Sequence, residues 1–132
     1  MKNSNNIRNP KIGDIYLVYF NGNGNEQKGY RPGLVFQNNV GNQHSPNLIV
    51  LPLTSAFIPK EVGLRKDSMV LCENPECMSK YKLGDYITTL PEEYMAQVAV
   101  GNILSSSAIS FIDPDLLMSV WQKALALNAI AN

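Results

Sequence analysis

The sequence predicts an α+β domain, and three observations carry that expectation. Two apolar runs, residues 34–36 and 48–53, are too continuous for half-exposed strands and too short for helices, so they read as buried neighbouring strands. Further strand-like runs stand on either side, at residues 15–20, 69–72 and 86–90. After residue 90 the pattern changes to two helix starts, one at Pro91 and one at Asp113 followed by Pro114. A chain of 132 residues suits one domain with a single core.

Taken in order, residues 1–9 are a polar stretch without an apolar h-region, expected to form a frayed, disordered tail. Gly13 and Asp14 open the first strand, residues 15–20. Residues 21–29 hold three Gly and three Asn with Glu26 and Lys28, which argues for a long hairpin loop. A phosphate-loop reading of Gly22–Asn23–Gly24 is weak, because no Gly-Lys-Ser/Thr follows. The two central apolar runs are joined by Asn, Gly, Ser and Pro, expected as a polar turn that holds the lone His44. Pro59 and Gly63 interrupt residues 56–66, and residues 77–84 read as polar and irregular.

Pro91 opens a helix whose first turn carries Glu92 and Glu93, where carboxylates suit the helix dipole. Tyr94, Met95, Val98, Ile103 and Leu104 form its apolar stripe, weakened by Gly101, and three serines at 105–107 blur its end. Asp113 as N-cap and Pro114 at the first helical position start a second helix. Leu116, Leu117, Val120, Trp121, Ala124 and Leu125 recur along it at three- and four-residue spacing. That face reads first as core packing and second as a subunit or partner contact.

Lys plus Arg number 11 and Asp plus Glu number 11, so the net charge is zero. This excludes a strongly basic nucleic-acid binder: any RNA contact must come from local groups rather than a general field. No run reaches membrane-spanning length, and the chain is expected in the cytoplasm with no membrane partner. Cys72 and Cys77 with one His fall short of a structural zinc set, so reduced thiols are expected, with no metal and no cofactor.

The chemistry sits at the ends of the central strands. Arg31 stands just before the first apolar run, and Thr54 and Ser55 just after the second. In an antiparallel pair the start of one strand lies beside the end of the other. A guanidinium and two hydroxyls would then meet at one edge, a site for an oxyanion, most simply a phosphate. The bland alternative is a surface arginine beside a plain β-forming threonine.

The same residues carry a family resemblance. Gly13 to Ile15, E-Q-K-G-Y-R-P from Glu26, Q-N-N from Gln37, G-N at Gly41, S-P at Ser45 and P-L-T-S from Pro52 come in one ordered series. D-S-M-V-L-C-E-N-P from Asp67 continues it less well. The chain resembles the MazF/PemK/Kid toxin endoribonucleases over residues 10–107, leaving residues 108–132 as a C-terminal helical extension. The resemblance implies a compact, SH3-like or strongly bent antiparallel β-barrel with packed helices. It also implies metal-independent, sequence-specific cleavage of single-stranded RNA (mRNA) by its own 2′-hydroxyl, a cognate antitoxin and a homodimer.

By the same resemblance Arg31 and Thr54 are catalytic, Glu73 is the candidate base, and Glu26, Gln27, Ser55 and Asn74 contact substrate. One departure matters. Where relatives carry R-T-I-D, this chain has Glu76, Cys77, Met78 and Ser79, and a carboxylate there would repel phosphate. The competing expectation is therefore a catalytically silent nucleic-acid- or protein-binding domain on the same scaffold.

Overall fold

The computed structural model describes residues 9–21, 29–58, 63, 68–72 and 74–131, without the side chains of 55–58, 68, 69, 130 and 131. Six strands and three α-helices follow in the order β1 (Asp14–Phe20), β2 (Gly29–Val35), α1 (Asn39–His44), β3 (Asn47–Ile58), β4 (Ser68–Val70), β5 (Glu76–Ser79), β6 (Leu83–Thr89), α2 (Glu92–Ser106) and α3 (Pro114–Ala131). The fold is α+β. The sheet runs β4-β3-β2-β1-β6, with β5 also paired to β3, and every pairing is antiparallel. Along this path the sheet is open, ending at β4 and β6.

Strand alternation sorts the apolar residues into two cores, one on each face. Ile15, Leu34, Leu51 and Leu53 pack with Leu90 and Val98 beneath α2. Tyr16, Val18, Phe20, Val35, Leu48, Val50, Met78 and Leu83 fill the other face. Because both faces are covered, the central strands read as unbroken apolar runs rather than alternating ones. Gly33 lets them come close: a Cβ there would lie 2.6 Å from Val50 Cγ1 and 3.1 Å from Val18 Cγ2.

Several expectations need correction. The polar turn after β2 contains α1, a helix with no apolar stripe to announce it. Asn38 caps it, accepting from Gly41 N at 2.9 Å, and His44 is its last residue. Its buried face is polar and satisfied: Asn42 Nδ2 donates to Gln37 O (2.8 Å) and Asn39 Oδ1 (3.0 Å), and Asn39 Oδ1 also accepts from Ile12 N at 2.7 Å. The Q-N-N and G-N motifs therefore build a joint between α1 and the entry to β1. Replacing Asn42 with Ala removes the donor that satisfies the half-buried Gln37 carbonyl. Urea unfolding is expected to register a loss of about 1–3 kcal/mol.

Residues 77–84, expected as irregular, supply β5, a 3-10 turn at Lys80–Lys82 and the start of β6. Asn47 to Val50 pair with Ser79 to Glu76, and Met78 is buried. The strand expected over 69–72 ends at Val70. Residues 22–28 of the expected hairpin loop lie outside the described residues.

Helix α2 begins after Pro91, and only Val98 along it is fully buried; Ile103 and Leu104 face solvent. Gly101 is a contact rather than a weakness, since a Cβ there would come within 3.1 Å of Cys72 Sγ. The helix ends at Ser106, and Ser107 adopts the left-handed conformation (φ 56°). Asp113 Oδ1 accepts from Leu116 N at 2.8 Å, as the capping signal predicts. The core-packing expectation for α3 fails. The helix rests against α1, yet Leu116, Leu117, Val120, Trp121 and Leu125 are all exposed, Trp121 by 61%. Periodicity reports that a helix is two-faced, not what covers its apolar face.

Candidate functional site

The last recorded rung between β2 and β3 pairs Gly33 with Pro52. Phe36 N donates to Ile49 O at 2.9 Å, which sets the alternation: the pairs 36–49 and 34–51 exchange hydrogen bonds, and Pro32 with Leu53 would be next. Pro32 has no N–H to give, so the ladder ends there for a chemical reason. One position further, in the same register, stand Arg31 and Thr54.

Beyond that point each strand is held from its other side. Arg31 pairs with Val18 on β1, and Thr54 pairs with Met69 on β4. Alternation places both on the face that carries Val18 and Val50, past the edge of that core. Both are half-buried. Arg31 Nε is shielded from solvent and meets no hydrogen-bond acceptor among the described residues. A buried donor left unmatched costs stability, so such groups are rare and mark places where an acceptor belongs. The fork between β2 and β3 thus leaves a guanidinium and a hydroxyl in register, just past the end of the ladder.

The other residues singled out from sequence fall into two groups. Ser55 continues β3 directly after Thr54, and its side chain lies outside the described ones. Glu26, Gln27 and Glu73 lie outside the described residues altogether. Asn74 is exposed in the turn after β4, where its N–H donates to Leu71 O at 3.1 Å. Neither Cys72 nor Cys77 forms a disulfide among the described residues. Among the described residues no cluster of three His, Cys, Asp or Glu could hold a metal ion, and no helix is long and apolar enough to cross a membrane.

Glu76 pairs with Val50, four residues along β3 from Thr54. At the rise of an antiparallel strand that is about 13 Å. This exceeds a Debye length of about 8–10 Å at ordinary ionic strength. Its carboxylate therefore bears on a neighbouring stretch of any bound polyanion more than on the group held at Arg31. Sequence reasoning did not single out Gly33 or Pro32, although a Pro-Gly pair opening an apolar run marks close approach and the end of a ladder.

A family model described as "PemK-like, MazF-like toxin of type II toxin-antitoxin system" matches residues 11–101. The chain is 36% identical over 113 residues to Endoribonuclease EndoA of Bacillus subtilis (strain 168), covering 76% of this chain and 97% of that protein. It is 37% identical over 98 residues to Endoribonuclease MazF of Staphylococcus epidermidis, covering 65% and 82%. Among solved structures it resembles an endoribonuclease in complex with its cognate antitoxin from Mycobacterial species, with a TM-score of 0.60 and 23% identity. That match covers 75% of this chain and 94% of the other.

Proposed function

The chain belongs to the PemK-like, MazF-like toxin family of type II toxin–antitoxin systems, and from that premise we infer that it is an endoribonuclease toxin cutting single-stranded RNA. The observation that carries the reading is Arg31: a shielded guanidinium nitrogen without an acceptor among the described residues, in register with a strand-end hydroxyl, at the point where the ladder stops. A phosphodiester supplies what that fork lacks.

The chemistry follows from what those groups can and cannot do. Arg31 is always charged and a poor proton shuttle, so its role is to stabilise charge growing on the phosphorane. Thr54 donates its hydroxyl to a phosphoryl oxygen. The ribose 2′-hydroxyl attacks its own phosphorus, forming the 2′-O–P bond as the P–O5′ bond breaks. The products are a 2′,3′-cyclic phosphate and a 5′-hydroxyl. The 2′ proton goes to a base, for which Glu73 is our candidate, and the departing O5′ takes a proton from water, whose hydroxide then recovers the proton from the base. The nucleophile comes from the substrate, so this scheme needs neither metal nor covalent intermediate. Glu26, Gln27, Ser55 and Asn74 are assigned to holding the RNA strand.

The test is an end-labelled single-stranded RNA of mixed sequence, incubated with the chain in excess EDTA. Cleavage leaving cyclic-phosphate ends supports the scheme. Activity that appears only with added magnesium would sink it, and no cleavage on several RNAs would favour the silent binding domain.

Further assignments rest on the same membership. A cognate antitoxin is the natural protein partner, and the cytoplasm, where RNA substrate is found, is the site of action. The toxin domain is residues 10–107, and residues 108–132 are an added helical extension. We read the sheet as the strongly bent, barrel-like form. Gly63, between β3 and β4, sits where a Cβ would meet Thr88 Oγ1 at 2.9 Å, so that connection reaches β6 at the other end of the strand order.

The working unit is assigned as a homodimer, with the exposed Leu117, Val120 and Trp121 face of α3 in its interface. Trp121→Glu is expected to move the sedimentation coefficient from dimer to monomer at micromolar concentration while the monomer stays folded. A parent chain that sediments as a monomer would remove the assignment.

A further inference from the structure

The two tyrosines at the loop end of the β1–β2 hairpin belong to neither core. Tyr19 and Tyr30 are direct partners in the ladder, and their rings meet edge to face, with centroids 5.1 Å apart and planes at 66°. Tyr19 is half-buried and Tyr30 is 66% exposed. Such a contact fixes the Tyr30 ring while leaving most of it facing water, so little rotamer freedom remains to be lost on binding. Leu17 and Pro32, also paired and also half-buried, continue the apolar strip on the same face.

We propose that Tyr30, braced by Tyr19, is a stacking platform for a base of single-stranded RNA next to the nucleotide whose phosphate is held at Arg31. The inference rests on the ribonuclease reading of Arg31 and deepens it by naming a further substrate-binding side chain. Three observations favour bases as the occupant. Tyr30 precedes Arg31 directly, so the two side chains leave one strand end toward opposite faces. The ladder to β3 has ended at Pro32, so among the described residues no strand pairs with that edge of β2, where a chain would pass from one face to the other. And a chain with 11 basic and 11 acidic residues has no general field to hold a polyanion. Affinity must then come from local contacts, of which base–aromatic stacking is the strongest that tolerates sequence.

The test uses a fluorescent 2′-fluoro single-stranded oligonucleotide of mixed sequence, which keeps RNA-like sugars but has no nucleophile. Binding is read by anisotropy for the parent chain, Tyr30→Ala and Tyr30→Phe. Cleavage of the matching unmodified RNA gives kcat and KM, and urea midpoints confirm that all three are folded. Tyr30→Ala is expected to weaken binding by about 5- to 150-fold, the span of one lost stack. KM should rise while kcat changes by only a few-fold, and Tyr30→Phe should restore binding. If the parent cleaves RNA but Tyr30→Ala binds as tightly, the platform is refuted and the ribonuclease reading stands. Failure of Tyr30→Phe to restore binding also refutes it, since the hydroxyl and not the ring would then matter. If the parent neither binds nor cleaves, both fall together.

Discussion

Arg31→Ala is expected to cut single-stranded RNA about 10²–10³-fold more slowly than the parent chain, the scale of removing one preorganised donor from a developing oxyanion. The effect should fall on kcat, because negative charge at the phosphorane grows only in the transition state. Arg31→Lys should not rescue it: an ammonium is a point charge and cannot reproduce the planar fork of donors. Thr54→Val, near-isosteric without the hydroxyl, should cost less than the loss of Arg31. Folding should survive all three changes. Arg31 Nε has no acceptor among the described residues to lose, and Thr54 lies past the packed core. Single-turnover cleavage in EDTA, with urea unfolding of each variant, separates the catalytic from the structural effect. Equal rates for the parent, Arg31→Ala and Arg31→Lys would remove Arg31 from the mechanism.

That experiment addresses a feature the sequence made visible through arithmetic. Apolar runs at 34–36 and 48–53 imply two strands, and an antiparallel turn between them brings residue 31 near residue 54. The recorded rung of Gly33 with Pro52 places those two in register two residues on. What the residues alone could not say is that the ladder would already have ended there. That depends on which pairs exchange hydrogen bonds, a phase fixed by Phe36 and Ile49 and not by any local pattern.

The elements that escaped sequence reading share a cause. Helix α1 is held by Asn38, which accepts from Gly41 N, and by Asn39 and Asn42 through contacts with Ile12 and Gln37. A six-residue helix stabilised by tertiary hydrogen bonds has no hydrophobic period to detect. Strand β5 has one buried apolar residue, Met78, and exists because Asn47 to Val50 present an edge to pair with. At α3 the reverse holds: a strong period implies a packed face, and the structure leaves that face exposed. Amphipathicity is a property of the segment, whereas burial is a property of what lies opposite it.

Gly33→Ala is expected to be the most damaging single-methyl change in the sheet. In an ordinary strand that substitution would help, since glycine costs more backbone entropy than alanine by roughly 0.5–1 kcal/mol. Here the new Cβ would lie 2.6 Å from Val50 Cγ1 and 3.3 Å from Phe20 Cζ. Val50 is fully buried and branched at Cβ, so its methyl cannot swing aside without an off-rotamer χ1 or a shift of β3. The net loss should be about 1–3 kcal/mol, the usual range for overpacking. Because the strain acts on the last rung before Arg31 and Thr54, cleavage should fall as well, even at temperatures where the variant is folded. A double-variant cycle decides between clash and any other cause. Val50→Ala alone leaves a cavity and is itself destabilising, but it also removes the methyl that Gly33→Ala would strike. The double variant should therefore be more stable than the sum of the two single losses predicts, by 1 kcal/mol or more on the order of coupled neighbours. Urea midpoints at constant m-value measure it. Strictly additive losses, or a Gly33→Ala chain as stable as the parent, would show that β2 and β3 do not meet as closely as the register of Gly33 and Pro52 requires.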